Sequence, residues 1–257
     1  MWKLLQTNSE SKSLRNPLLL VCLSTSNPEY KLLYSQGKEL GRFLLRKLDF
    51  EQIAALYSSG LPPEVKVSNS GVATLASNNF YVYHGTTRDF VLLAGHSSPI
   101  EDQYEYGETV LTYAKNLGVK EIVSFGARWT ETVAPPLEKP RVTGFASDEE
   151  GTKRLEEAGV QLLRNEAAYY FANIIVSQSG LYEMRGFKFS VDHGEPLPNP
   201  KSLIAFLGIL ERMFGLKIDY SDLYLQAREL DESMRKAAVD GIDEDGHKDS
   251  QNDDIYR

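Results

Sequence analysis

Apolar positions in this chain alternate between short unbroken runs and longer stretches in which they recur every three or four residues. Leu18–Leu23 is the first unbroken run. Its strand length and lack of polar alternation predict a central strand covered on both faces. Ser24-Thr25-Ser26-Asn27-Pro28 follows as a turn-rich junction, and the spacing predicts a helix from near Glu29, with Leu32, Leu33, Leu40, Phe43, Leu44 and Leu48 on or near one stripe. Lys and Arg crowd its last turn, where they suit the helix dipole. Ile53–Tyr57 reads as a second strand. Beyond Leu61-Pro62-Pro63, the short runs Val65–Val67, Val72–Leu75 and the alternating Phe80–His84 predict an antiparallel meander inserted on a sheet edge. Asp89–Ala94 is another apolar strand.

The second half repeats the strand and helix alternation. A helix is predicted from about Gln103 to Leu117, with Tyr106, Val110, Tyr113, Ala114 and Leu117 on one face and Gly118 as the glycine that ends it. Val119–Phe125 then completes a parallel crossover. Gly126–Pro140 reads as a long loop in which Arg128 and Trp129 either line a pocket or interface, or pin the loop to the body. Next come a strand at Arg141–Ala146, a capping box at Ser147-Asp148-Glu149-Glu150 opening a helix that ends at Gly159, a strand at Val160–Leu163 and a helix at Glu166–Ser177. Gly186–Val191 alternates Phe187, Phe189 and Val191 on one face. Asn199 and Pro200 open the helix Lys201–Phe214, which is apolar almost all round and so is either core or shared with another subunit. The last helix, Ser221–Ala238, carries a narrow stripe of Leu223, Ala227, Leu230 and Met234. Periodicity ends at Val239.

These elements predict an α/β domain with a mostly parallel central sheet, an inserted antiparallel meander, a C-terminal helix and a disordered tail. The chain divides into a polar lead-in at residues 1–16, the domain at 17–238 and an acidic tail at 239–257.

Charge sharpens the last boundary. The net charge is −8, of which seven acids against two bases from Asp240 onward supply −5, leaving −3 for the body. No basic patch marks a nucleic-acid partner. The single cysteine, Cys22, lies in the first apolar run and has no partner for a disulfide. No apolar stretch has membrane-spanning length, and residues 1–16 lack the layout of a secretory leader, so a cytoplasmic location is expected.

Candidate chemistry is sparse. The turn after the first strand contains no glycine, which removes the dinucleotide fingerprint, and no phosphate loop occurs. His84, His96, His193 and His247 are too scattered to predict a metal site. No cofactor, metal or catalytic residue is assigned. An alternative is a small-molecule-binding protein, or a hydrolase- or transferase-type enzyme, using Gly95–Ser98, Gly126–Trp129 and His193 at the carboxyl edge of the sheet. A Ser97, His193, Asp192 triad belongs to that alternative, although no nucleophile elbow is present. The chain ends in Ile255-Tyr256-Arg257, a compact plug of apolar side chain, aromatic hydroxyl and terminal carboxylate suited to docking in a partner's pocket.

Several segments in order resemble the proteasome assembly chaperone 2 family: Leu56-Tyr57-x-x-x-Leu61-Pro62-Pro63, Asp89-Phe-Val-Leu-Leu-Ala-Gly95, Leu117-Gly-Val-Lys-Glu-Ile-Val-Ser-Phe-Gly126, Pro140-Arg-Val-Thr-Gly-Phe-Ala-Ser147 and Pro198-Asn-Pro-Lys201. The resemblance spans roughly residues 17–235. It departs at Ser24–Pro28, where family members often carry glycines, and is loose over Ala167–Val191. It implies a three-layer domain similar to the phosphorylase/hydrolase-like fold, self-association, and a non-catalytic chaperone or cap role on the α-subunit ring of the 20S proteasome. The hydrophobic-Tyr-any ending of such relatives maps onto Ile255, Tyr256 and Arg257. A polar tether at Val239–Asp254 would carry that plug roughly 20–24 Å from the body, and several tails on one oligomer would bind with avidity.

Overall fold

The computed structural model describes residues 2–6, 13–27, 32–34, 36–129, 140–193 and 199–245. After β1 (Trp2–Gln6), the first apolar run forms β2 (Leu18–Cys22), which is fully buried. The expected helix near Glu29 does not follow. Instead β3 (Thr25–Asn27) pairs antiparallel with β4 (Leu32–Tyr34), and α1 spans Gln36–Lys47. The proline at position 28 biases Asn27 towards extended backbone, which favours a strand over a helix start. α1 then lies close on the sheet because Gly37 and Gly41 face it. A Cβ at Gly37 would meet Leu23 O at 2.9 Å, and one at Gly41 would meet Cys22 Cβ at 2.9 Å.

β5 (Glu51–Ser58) leads into a separate hairpin of β6 (Val65–Val67) and β7 (Ala73–Leu75). β8 (Asn78–His84) returns to the sheet, followed by β9 (Asp89–Gly95), α2 (Gln103–Asn116) and β10 (Glu121–Trp129). β10 runs through Gly126–Trp129, where the sequence predicts loop; residues 130–139 lie outside the described set. β11 (Val142–Ala146), α3 (Glu149–Glu157) and β12 (Gln161–Leu162) follow. Asp148 caps α3 by accepting from Gly151 N at 2.6 Å. Ser147, the other half of the expected cap, instead accepts from Gly186 N through its hydroxyl at 2.8 Å. α4 (Phe171–Ser179) starts five residues later than predicted, after Tyr170 at a φ of 73°. β13 (Arg185–His193), α5 (Pro200–Phe214) and α6 (Ser221–Asp245) are the last described elements.

Among the described residues, nine strands form one sheet in the order β1-β5-β8-β9-β2-β10-β13-β11-β12. The centre, β9-β2-β10-β13, is parallel throughout; antiparallel pairs flank it on both sides, and the outermost pair β11-β12 is parallel again. β10 is long because β13 matches it residue for residue, from Glu121 opposite Arg185 to Trp129 opposite His193.

The period-two alternation of each central strand supplies two cores at once. Leu18, Leu20, Cys22, Phe90, Leu92 and Ala94 point to the layer of α1, α3, α5 and α6. Leu19, Val21, Val91 and Leu93 point to α2 and α4. This is a three-layer α/β fold. α5 is core: Phe206, Leu207 and Leu210 are fully buried, and α6 covers it with Leu223 and Ala227. α6 continues to Asp245 although its apolar stripe ends near Met234. Periodicity reports a buried face rather than helicity itself, so a polar extension of a helix escapes it.

Candidate functional site at the carboxyl edge

The two faces of β10 and β13 differ in chemistry. One face carries Val123, Phe125, Phe187, Phe189 and Val191 into the α1 and α5 layer. On the other, the amino-terminal half is apolar and closed: Ile122 is core, and a Cβ at Gly186 would meet Val176 O at 2.6 Å. Two steps further on, the same face becomes polar, with Ser124, Gly126 and Arg128 on β10 beside Lys188, Ser190 and Asp192 on β13.

Lys188 is 3% exposed. Its Nζ donates to Phe189 O at 3.0 Å, and no described carboxylate pairs with it. The amine occupies space that only a glycine at 126 leaves open, since a Cβ there would sit 2.7 Å from Nζ. Burial removes the ammonium's hydration and pulls its pKa down to about 7. The buried Ser124 Oγ and Asp192 Oδ1 have no hydrogen-bond partner among the described residues. Burial raises the Asp192 carboxyl above its ordinary range, with Arg128 and Arg141 opposing. Arg128 is itself held by Glu166 at 3.1 Å. Gly126, Ala127 and Arg128 are partly exposed, so the polar patch reaches the surface at the strand ends. An amine that titrates near neutrality beside an unpartnered hydroxyl can exchange a proton or receive a polar group.

Sequence reasoning missed Lys188. The alternation in Gly186–Val191 puts it on the strand face opposite Phe187, Phe189 and Val191, and parallel pairing with β10 under α4 buries that face. The available signal was a lysine in an aromatic strand whose neighbouring elements are apolar.

The expected edge residues separate into two groups. Gly126–Trp129 and His193 lie side by side through the β10 and β13 pairing. Gly95–Ser98 sits at the end of β9, where Ser98 N donates to Ser24 O at 2.8 Å and Asn78 Nδ2 donates to Ser97 O at 2.8 Å. Ser97 and Asp192 are therefore three strand spacings apart, roughly 14 Å. The backbone does not assemble that triad. His96 Nε2 lies 3.1 Å from Glu64 Oε2, and burial lowers its pKa despite that carboxylate. Ile255, Tyr256 and Arg257 lie outside the described residues. No group of three metal-ligating side chains occurs among the described residues, and no helix among them is long and apolar enough to cross a membrane.

Solved structures share this architecture. Pyrococcus furiosus PbaB, described as an archaeal proteasome activator, superposes with a TM-score of 0.77 at 19% identity, covering 92% of this chain and 98% of its own. Pyrococcus furiosus PbaA, described as an archaeal homolog of proteasome-assembly chaperone, gives 0.71 at 17% identity, covering 96% and 95%. A Mycobacterium tuberculosis proteasome-assembly chaperone homologue gives 0.71 at 17% identity, covering 86% and 94%. At these identities the likeness establishes the fold. No curated protein matches the chain by sequence. The family profile decides the rest: that of the PAC2 family matches residues 37–238, from the first turn of α1 into α6, and the chain belongs to the PAC2 family.

Proposed function

We propose that this protein is a homo-oligomeric, non-catalytic proteasome-binding or proteasome-assembly factor of the cytoplasm. It docks Ile255-Tyr256-Arg257 into pockets between α-subunits of the 20S proteasome. The observation that carries the reading is the PAC2 match over residues 37–238, joined to near full-length similarity with an archaeal proteasome activator and chaperone homologues.

Physical features support the docking step. Ile255 fills an apolar pocket, Tyr256 adds a ring and a hydroxyl, and the terminal carboxylate pairs with a basic group on the rim. The acids of the tail favour approach to such a rim. The ten residue steps from Asp245 to Ile255 cap the plug's reach from α6 at about 35 Å.

Self-association needs a surface other than α5, which the core consumes. The outer face of the β6 and β7 hairpin offers one, with Val65 54% exposed and Val67 67% exposed.

The test is co-sedimentation of full-length protein and of a chain lacking Ile255–Arg257 with 20S particles from the same organism. Loss of co-sedimentation on truncation is expected, and equal binding by both chains overturns the docking role.

A further inference from the structure

A second polar site lies on the opposite face of the sheet, between α1 and the β6 and β7 hairpin. A cavity of about 470 Å³ opens there, lined on one side by Lys38 and Arg42 of α1 and on the other by Lys66 of β6. Tyr57, Asn79 and Tyr81 are part of its wall, and no carboxylate among the described residues lines it. Lys38 and Arg42 are four residues apart on one helix face, a spacing at which like charges repel.

The neutralisation of these cations is incomplete. Glu39, outside the cavity, holds Arg42 Nη1 at 2.7 Å. Lys38 Nζ donates to a neutral acceptor, His96 O, at 2.8 Å. Glu64 is engaged with His96. Burial, then Arg42 and Lys66, lower the Lys38 pKa, with Glu39 and Glu64 opposing, so burial and the neighbouring cations outweigh the nearby carboxylates. Exposed lysines would ordinarily diverge into water. Here a helix and a hairpin point three cations into one concavity.

We propose that this cavity binds a small phosphorylated organic molecule, with its phosphate held among Lys38, Arg42 and Lys66 and its organic part against Tyr57 and Tyr81. Three convergent cations suit a dianion better than a single carboxylate, and a guanidinium fork matches phosphate oxygens in pairs. The cavity falls within the usual size range for small-molecule sites and is far larger than one phosphate requires. Two tyrosine rings supply surface for a planar group such as a nucleobase. Side chains rather than a glycine-rich loop would hold the phosphate, so a sequence lacking phosphate-loop motifs is compatible with the site. Ligand binding in this cavity is independent of proteasome docking.

The experiment is calorimetric titration of the full chain with a nucleoside diphosphate, inorganic phosphate and an acidic peptide, repeated on Lys38→Met and Lys66→Met. The diphosphate is expected to bind, and each variant to weaken it about tenfold by removing one charge-assisted contact. Lys66→Met keeps the test valid if Lys38→Met folds poorly, because position 66 is exposed on a two-stranded hairpin. Absence of diphosphate binding, or binding unchanged in Lys66→Met, overturns the proposal. Inorganic phosphate binding as tightly as the diphosphate marks an adventitious ion only, and tighter binding of the peptide assigns the groove to a protein partner. Either result also overturns it.

Discussion

Lys188 and Lys38 are amines near the same end of one sheet, on opposite faces, and both are pushed below the ordinary lysine range for different physical reasons. Lys188 is sealed between β10, β11 and α4's side of the sheet, where burial alone lowers it. Lys38 is half-buried at the mouth of a cavity, where Arg42 and Lys66 add to the effect of burial and Glu39 and Glu64 oppose it. A sealed amine answers desolvation by giving up its proton. A crowded but accessible one can keep its proton when an anion arrives. The first cost is intrinsic to the fold, and the second is removable by a ligand.

The largest separation of the two should come from Lys188→Met. The folded-state pKa of about 7 lies below the unfolded value of about 10.4, so the unfolded chain binds more protons between them. Wild-type stability should therefore gain from this residue as pH rises through that window, by roughly 5 kcal/mol in all and about 2 kcal/mol between pH 7 and 9. Lys188→Met should lack the gain. Urea unfolding of both proteins across pH 6–9 checks it, and parallel stability curves would show that Lys188 is not dry.

Gly126→Ala tests the same slot sterically. The new Cβ would meet Nζ at 2.7 Å but Cε at an ordinary 3.6 Å. The substitution alone should cost about 1–3 kcal/mol as overpacking. In the Lys188→Met background, where the side chain ends one atom sooner, that cost should largely vanish. A double-mutant cycle that gives simple additivity would dissociate Gly126 from the lysine.

This slot was hidden in the sequence, whereas much of the fold was not. The unbroken run Leu18–Leu23 announced a strand buried on both faces, and Asn199 with Pro200 announced the start of α5, which the structure confirms with Asn199 Oδ1 accepting from Lys201 N at 2.9 Å. Those signals are local. The start of α1, the true length of β10 and the burial of Lys188 depend on partners remote in sequence. Ser124 and Lys188 are 64 positions apart, and only the β10 and β13 register sets them side by side. The cationic cavity was invisible for the same reason, since Lys38 and Lys66 meet across a helix and a hairpin that share no sequence pattern. Family membership was legible because ordered segments carry it without any contact map.

Ser124→Ala comes next in size. The hydroxyl is fully buried and lacks a partner among the described residues, so deleting it removes an unmet desolvation cost. Stability should rise or hold within about 1 kcal/mol. A loss well above that in thermal unfolding would reveal an acceptor or donor the hydroxyl serves, and would make the Lys188 face a working polar network.

Lys66→Met has the smallest expected effect on the unliganded protein and separates the two lysines most sharply by mechanism. Removing one of three mutually repelling cations should stabilise by no more than about 0.5 kcal/mol. Because the hairpin is exposed, that repulsion passes through water and is screened over a Debye length of about 10 Å at 0.1 M salt. The gain should thus be present in melts at 10 mM salt and absent at 0.5 M. The pH-linked effect of Lys188→Met should survive the same change in salt, since desolvation of a sealed amine involves no distant charge that ions can screen. If salt erases both effects, Lys188 is coupled to charges beyond its slot. If it erases neither, the cations at the cavity are held by contacts other than long-range repulsion.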